Sequence, residues 1–358
     1  MMKETFRVLA INPGSTSTKV AVYDNENLLF EQVVRYSNEE LAPFDSVIAQ
    51  YEFRKNGILQ MLADKDITLE SLDAVVGRGG LLKPISGGTY AVNAAMLEAL
   101  RLAERGEHAS NLGGVIAKEI GDKLNIPSYI VDPVVVDELA DIARVSGIPG
   151  CDRGSIFHAL NQKAVARKIA KELGKSYETA NLIVAHMGGG ITVGAHQGGR
   201  VIDVNDALYG EGPFSPERTG SIPTGHMLNL CFSGQHTLNE VKKIIAGKGG
   251  LVAYLGTNDG REVGKRIEAG DTKAKLIYEA MAYQIAKEIA ANAAVLSGNV
   301  DAIVLTGGLA YDQMLVKWIT ERVCFIAEVK VVPGEHEMIA LTEGALRVLR
   351  GEESAKEY

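Results

Sequence analysis

Ile11–Lys19 reads INPGSTSTK, and His186–Gly194 reads HMGGGITVG. Each stretch is rich in Gly, Ser or Thr, follows a short apolar run (Val8–Ile11; Leu182–Ala185) and leads into another strand-like run. A turn of this kind directs backbone N–H groups and hydroxyls toward one point, a geometry suited to phosphate oxygens. The same residues admit a plainer reading, a Gly/Ser hairpin between two strands. Because the stretches occur at matching places in the two halves of the chain, they predict a duplicated domain with a phosphate chain held between the copies.

The surrounding pattern repeats in the same order. Strand composition at Phe6–Ile11, Lys19–Tyr23 and Leu28–Arg35 is followed by helical periodicity over Phe44–Ala63, and then by a buried-strand run at Asp73–Val76. Helices are expected at Ala94–Arg105 and Asn111–Leu124, and a strand at Ser128–Val131. The second half offers strands at Leu182–Ala185, Thr192–His196 and Arg200–Val204, then helices at Leu238–Ala246 and Ala274–Ser297. It closes with strands Ala302–Thr306 and Glu328–Val332, and helices Lys317–Arg322 and Thr342–Arg350. Three strands and then alternating helices and strands, run twice, make an α/β protein of two duplicated domains. The periodic segment Ser155–Leu173 starts the second copy. The expected boundaries are 1–149 plus a returning C-terminal helix, 338–358, for the first domain, and 150–337 for the second, which carries the nucleotide site.

Composition removes several classes of function. A chain of 358 residues with 46% hydrophobic content fills two cores. The net charge of −8 is dispersed, and no basic block marks a nucleic-acid or membrane surface. No apolar run approaches the roughly 20 residues of a spanning helix. The opening MMKETFRVLAINPG enters a strand too soon for a signal peptide. Cys151, Cys231 and Cys324 form neither a metal pattern nor a disulfide framework, which points to a reducing, cytoplasmic compartment.

The chemistry-bearing residues cluster in a few segments. Asn12, Ser15 and Ser17 suit phosphate oxygens or metal-bound water, and Lys19 adds a point charge. Gly188, Gly189 and Gly190 permit close approach of a ligand to the backbone, with His186 just before them. A third glycine pair, Gly307-Gly308, followed by Leu309 in LTGGLAYD, ends a buried strand, the usual ligand edge of an α/β sheet. Neither GxxxxGK[ST] nor GxGxxG is present, which disfavours a P-loop ATPase and a Rossmann dehydrogenase. Arg78 in VVGRGG and Arg218 in SPERTGS have the forked donors that stabilise a transferring phosphoryl group or grip a carboxylate. Asp132 in IVDP and Glu337 in PGEHEMIA are the carboxylates placed to hold Mg²⁺. His108 and His158 lie in helix-like contexts.

Together these segments resemble the acetate and butyrate kinase family, within the actin, sugar-kinase and Hsp70 ATPase superfamily, over nearly the whole chain. INPGSTSTK resembles that family's first phosphate loop, HMGGGITVG its second, LTGGLAYD its adenosine loop, and FHALNQK the segment with its active-site histidine. DALYGEGPFSPERTG (Asp206–Gly220) and PGEHEMIALTEGALRVL (Pro333–Leu349) resemble the butyrate kinase branch. Against acetate kinases the chain is shorter, has Gly189 in place of Asn, ERTGSIP in place of an RSGD-like segment, and Gln162 in place of a second histidine.

The resemblance implies ribonuclease H-like, actin-like ATPase domains with a ligand cleft between them. It implies an enzyme using ATP/ADP and Mg²⁺ to phosphorylate a short-chain carboxylate, butyrate or isobutyrate, to its acyl phosphate, and a homodimer. By residue, it implies that Asn12, Ser15, Ser17 and Lys19 line the γ-phosphate and metal region. Arg78 and Arg218 clamp the acyl carboxylate and the phosphoryl group, and His158 donates to a phosphoryl oxygen. Asp132 and Glu337 hold Mg²⁺; His186 and Gly188–Gly190 approach the β- and γ-phosphates; Gly307, Gly308 and Leu309 border adenosine. His108 is a weaker carry-over. Three other readings stay open: an acetate or propionate kinase, a hydroxyl-acceptor kinase with Asp203 or Asp206 as base, and an ATP-gated assembly protein.

Overall fold

The apolar runs pair into two sheets of the same design. The computed structural model describes residues 4–358. The chain divides into a first unit, residues up to Val136 together with His336–Tyr358, and a second unit, Asp137–Glu335.

The first unit holds β1 (Arg7–Gly14), β2 (Ser17–Asp24), β3 (Asn27–Arg35), β4 (Ala74–Arg78), β5 (Thr89–Ala91) and β6 (Ser128–Val131), ordered β3-β2-β1-β4-β6-β5. β1, β2 and β3 are antiparallel neighbours, while β1, β4 and β6 run parallel. Val8–Ile11 are wholly buried because both faces of β1 are covered. Leu9, Ile11, Val20, Val22 and Val75 meet Ile58 and Leu62 of the helix Tyr51–Asp64, and Leu112 and Ile116 of the helix Asn111–Leu124. The helix Glu337–Leu349 packs on β1, β4 and β6. Beyond it the chain end lies along β5. Lys356 N donates to Thr89 O at 2.8 Å, and Ala91 N donates to Lys356 O at 3.0 Å.

The second unit holds β7 (Leu182–Met187), β8 (Ile191–Gln197), β9 (Arg200–Val204), β10 (Ala302–Gly307) and β11 (Val329–Pro333), ordered β11-β10-β7-β8-β9. Again three antiparallel neighbours, β7, β8 and β9, adjoin two strands parallel to the first, β10 and β11. This shared order of pairing is the physical form of the duplication. Alternate residues of β7 face opposite layers. Ile183, Ala185 and Met187 join Tyr278, Met281, Ile285 and Ile289 of the helix Thr272–Val295, whereas Leu182 and Val184 join Val165 and Ile169 of the helix Ala159–Glu172. The 24-residue helix starts at Asp271, whose side chain accepts from Ala274 N at 2.9 Å, and it is a core helix.

Some expectations are corrected. The stretch Ile11–Lys19 is mainly strand: Asn12 pairs with Lys19, and only Ser15 and Thr16 lie between β1 and β2. The regular helix expected from Phe44 begins at Tyr51, after a short 3₁₀ turn. His108 precedes its helix, and His158 occupies the N-cap position of Ala159–Glu172. The helices Thr224–Cys231, Gly250–Leu255 and Gly260–Glu268 were not legible, nor was the three-residue β5. Among the described residues no helix is long and apolar enough to cross a membrane.

Two buried groups have measurable consequences. Arg54, 1% exposed, closes the β1–β2 turn from beneath: Nη1 donates to Gly14 O at 2.7 Å and Ser17 O at 3.2 Å, and Nη2 donates to Ser15 O at 2.7 Å. Arg54→Met keeps most of the volume and leaves those carbonyls unmet. Urea denaturation is expected to show a loss of about 3 kcal/mol. In β8, His196 is fully buried between Tyr177 and Gln162, and desolvation, helped by Lys163 and Arg167, holds its pKa well below the usual value. The unfolded imidazole takes up a proton near pH 6.5 and the folded one does not, so stability is whole above about 6.5 and falls as the pH drops below it. Thermal melts between about pH 7 and about pH 5 should show this fall, and His196→Gln should flatten it.

Candidate functional site

Parallel strands bring their carboxyl ends to one edge, and each unit gathers polar side chains there. In the first unit the register of β1, β4 and β6 sets Asn12, Arg78 and Asp132 at adjoining strand ends. Glu337 is the first residue of the helix covering that sheet, preceded by His336 at φ +49°. Arg78 Nη1 lies 2.6 Å from Glu337 Oε1 and donates to Asn12 Oδ1 at 3.4 Å, while Asn12 Nδ2 donates to Glu337 Oε2. One carboxylate thus ties the ends of β1 and β4 to the helix.

Asp132, 1% exposed, sits at φ +37°, a conformation that a non-glycine residue keeps only when its surroundings hold it. Its Oδ1 accepts from Gly88 N at 2.7 Å, and its N–H donates to Gly88 O at 3.1 Å. Ser15 is exposed at the hairpin tip and Ser17 is half-buried. Lys19 Nζ lies 3.7 Å from Glu31. His108 Nδ1 is 2.8 Å from Ser110 Oγ, and its pKa is lowered by burial and then by the charge of Arg78, which puts it within the field of this group.

The donors at this edge, the carboxylates of Glu337 and Asp132 and the amide of Asn12, are hard oxygens of the kind Mg²⁺ takes. Mg²⁺ in a nucleotide site needs only one or two carboxylates beside phosphate and water. No group of three or more His, Cys, Asp or Glu placed to hold a metal occurs among the described residues.

The second unit brings together the other expected residues. His158 and His186 stack with ring centroids 3.9 Å apart and planes 10° apart. His158 Nδ1 is 2.9 Å from Thr192 Oγ1, and His186 Nδ1 is 2.7 Å from Asn161 Oδ1. The glycines divide by task. Gly188 and Gly189 line a cavity of about 830 Å³ with Tyr278, Gly308, Leu309 and Asp312. Gly190 does not: a Cβ there would fall 1.9 Å from Arg218 Nη1, so its missing side chain makes room for the guanidinium. Gly307, at φ +88°, lets β10 end against the backbone of Met187, where a Cβ would lie 2.4 Å from the carbonyl oxygen.

Arg218 Nη1 donates to Ala207 O at 3.1 Å; burial lowers its pKa, opposed by Glu217 and Asp206, and it remains a cation. Within the cavity wall, Tyr278 Oη donates to Asp312 Oδ2 at 2.8 Å, and burial, then Asp312, pushes the phenol pKa up. Asp312 Oδ1 also accepts from Met314 N and Leu315 N, capping the next helix. The wall is therefore preset. Sequence reasoning missed Asn161, Thr192, Tyr278 and Asp312. Only Asn161 had a usable signal, three residues after His158 and so on its face of the helix.

Several solved structures share this fold. Acetate kinase from Porphyromonas gingivalis superposes with a TM-score of 0.79 at 21% identity, covering 95% of this chain and 99% of that chain. Propionate kinase from Francisella tularensis subsp. tularensis gives 0.73 at 18%, covering 95% and 98%. A ROK family protein from Streptococcus pneumoniae TIGR4, solved with sucrose, gives 0.54 at 12%, covering 96% and 100%. These likenesses establish the class: an α/β protein of the actin-like ATPase fold. Residues 153–340 match the Acetokinase family, and the chain belongs to it. It is a short-chain carboxylate kinase, a phosphotransferase with a carboxyl acceptor, in a family that uses ATP and Mg²⁺.

The contact between Gly190 and Arg218 is testable. Gly190→Ala should leave the melting temperature nearly unchanged yet lower kcat by about a hundredfold, the cost of displacing a positioned group by an ångström. Steady-state kinetics beside a thermal melt would show the split.

Proposed function

We propose that the chain transfers the γ-phosphate of ATP reversibly to butyrate or a branched analogue such as isobutyrate, giving an acyl phosphate and ADP by direct in-line transfer. The preference for a larger acid than acetate rests on the two segments that resemble butyrate kinases and on the departures at Gln162, Gly189 and ERTGSIP. The kinase chemistry rests on the family and on the charged groups that each unit gathers by itself.

A carboxylate acceptor is already an anion near neutral pH, its pKa lying far below 7, so no general base is needed. What the reaction needs is cations to offset the repulsion of two anions held in line. Arg78 and Arg218 are assigned to the acyl carboxylate and the migrating phosphoryl group, and His158 to a phosphoryl oxygen. Asn12, Ser15, Ser17 and Lys19 are assigned to the γ-phosphate region, and His186 with Gly188–Gly190 to the β- and γ-phosphates. The adenosine is assigned to Gly307, Gly308 and Leu309. Glu337 and Asp132 would hold Mg²⁺, which when bound screens phosphate charge.

The observation that carries a carboxylate over a hydroxyl acceptor is the match of residues 153–340 to the Acetokinase family. Of the two carboxylates read as a base for a hydroxyl acceptor, Asp203 Oδ1 accepts from Arg153 Nη1 at 2.9 Å, and Asp206 Oδ1 accepts from Leu208 N at 2.7 Å and Tyr209 N at 3.0 Å.

Trapping with hydroxylamine tests the reading, since an acyl phosphate yields a hydroxamate and a sugar phosphate does not. Butyrate or isobutyrate should give kcat/KM about ten- to a hundredfold above acetate. Preference for acetate or propionate would overturn the chain-length proposal; absence of hydroxamate from every acid would overturn the assignment of acceptor. Arg78→Ala and Arg218→Ala should each cut turnover by roughly a thousandfold. Near-normal rates in both would remove the clamp.

A further inference from the structure

Each of the stacked histidines has an Nδ1 partner tied to one helix: Asn161 Oδ1 for His186, and for His158 the hydroxyl of Thr192, to which Gln162 donates. We infer that Asn161 and Gln162 set opposite tautomers in the pair, His158 carrying its proton on Nε2 and His186 on Nδ1. The catalytic use of this arrangement rests on the assignment of His158 as a donor to the phosphoryl group; the arrangement itself does not.

Gln162 is wholly buried, and its Nε2 lies 3.0 Å from Thr192 O and 2.8 Å from Thr192 Oγ1. A backbone carbonyl only accepts, so the amide nitrogen must face it and the amide cannot flip. Its Oε1 therefore faces His196 Nε2 at 3.1 Å, and that nitrogen must donate. Neutral His196 has one N–H, so its Nδ1 accepts from Tyr177 Oη at 2.9 Å. The hydroxyl of Thr192, also wholly buried, accepts the amide proton on one lone pair and lies 2.9 Å from His158 Nδ1, and the assignment gives the hydroxyl proton to that nitrogen. The proton of His158 is left on Nε2. A chain of donors running from Tyr177 through His196, Gln162 and Thr192 thus arms His158 to donate.

The neighbouring amide works the other way. Asn161 Nδ2 donates to Glu335 O at 2.5 Å and Gly334 O at 3.4 Å, both carbonyls, so its Oδ1 is turned to His186 Nδ1 at 2.7 Å and must accept. His186, 4% exposed, then carries its proton on Nδ1 and a lone pair on Nε2. A Cβ built on Gly188 would lie 3.4 Å from that nitrogen, which places the lone pair beside the glycine turn. One ring of the stack is a donor and the other an acceptor at the corresponding nitrogen. Gln162 and Thr192 act as positioning residues through His158.

The test is a proton–nitrogen correlation NMR spectrum of histidine-labelled protein above neutral pH, with signals assigned through His158→Gln and His186→Gln. The expected spectrum shows a bare Nδ1 and a protonated Nε2 for His158, and the reverse for His186. The same tautomer in both rings, or a proton on Nδ1 of His158, overturns the inference. Thr192→Val removes the hydroxyl proton while keeping the shape. It should give mixed tautomers at His158 and about a tenfold loss of kcat with little change in nucleotide KM, and Thr192→Ser should restore both. Unchanged tautomer and turnover in Thr192→Val would also overturn it. If Thr192→Val fails to fold, the wild-type spectrum decides alone. If the wild type makes no acyl phosphate, the functional proposal fails and the spectrum still decides the tautomers.

Discussion

In each unit, a side chain near the end of the first strand is hydrogen-bonded to the first turn of the helix that covers the sheet. In the first unit this is Asn12 with Glu337; in the second it is His186 with Asn161. Much of the polar apparatus depends on these two bonds. They fix where the helices begin, and with that the positions of His158 and Glu337, which sit at the helix starts. A strand end is rigid because the ladder beside it is buried, and a helix end has orphan N–H groups that favour anions. Joining the two puts chemistry on the stiffest backbone available.

The duplication therefore goes deeper than strand order. The same architectural bond has been kept while its chemistry has diverged. The first unit uses it to hold a carboxylate against an arginine, an arrangement suited to charge and metal. The second uses it to orient an imidazole, an arrangement suited to directional hydrogen bonding. Arg218 completes the second set only because Gly190 has no side chain.

Much of this was legible in the chain. β1–β3 and β7–β9 announced themselves by apolar runs broken by Gly, Ser and Asn, and the long helix by its period. Arg78 and Arg218 stand out because cations in Gly- or Pro-rich segments are hard to explain as surface charge, whereas His158 stands out only through the family resemblance of FHALNQK. The supporting residues did not stand out. Arg54 lies in YEFRKNG and reads as a solvated helix face, yet it is buried and spends its donors on the hairpin carbonyls. Asn161 shares a helix face with His158 and Gln162 stands in place of a second histidine, but nothing in the chain shows that both are buried. Their function depends on partners at Thr192, His196 and Glu335, brought close only by the sheet. The helices Gly250–Leu255 and Gly260–Glu268 begin at glycine, where local propensity argues against them. The stretch Ile11–Lys19 reads as a longer turn than it is because Ser and Gly favour turns, whereas β-branched Thr16 and Thr18 sit comfortably beside or in a strand.

The division of the chain has a consequence for its synthesis. The second unit is continuous in sequence, and all of it exists once residue 335 has left the ribosome. The first unit contains both the beginning of the chain and its last 23 residues, His336–Tyr358. Its opening hairpins wait through the making of the whole second unit for the helix that covers β1, β4 and β6 and for the terminal residues that lie along β5. The strands of the first sheet are made well before the helix that covers them, and a chain that stops before residue 336 leaves that sheet without its covering helix and its β5 edge without Lys356.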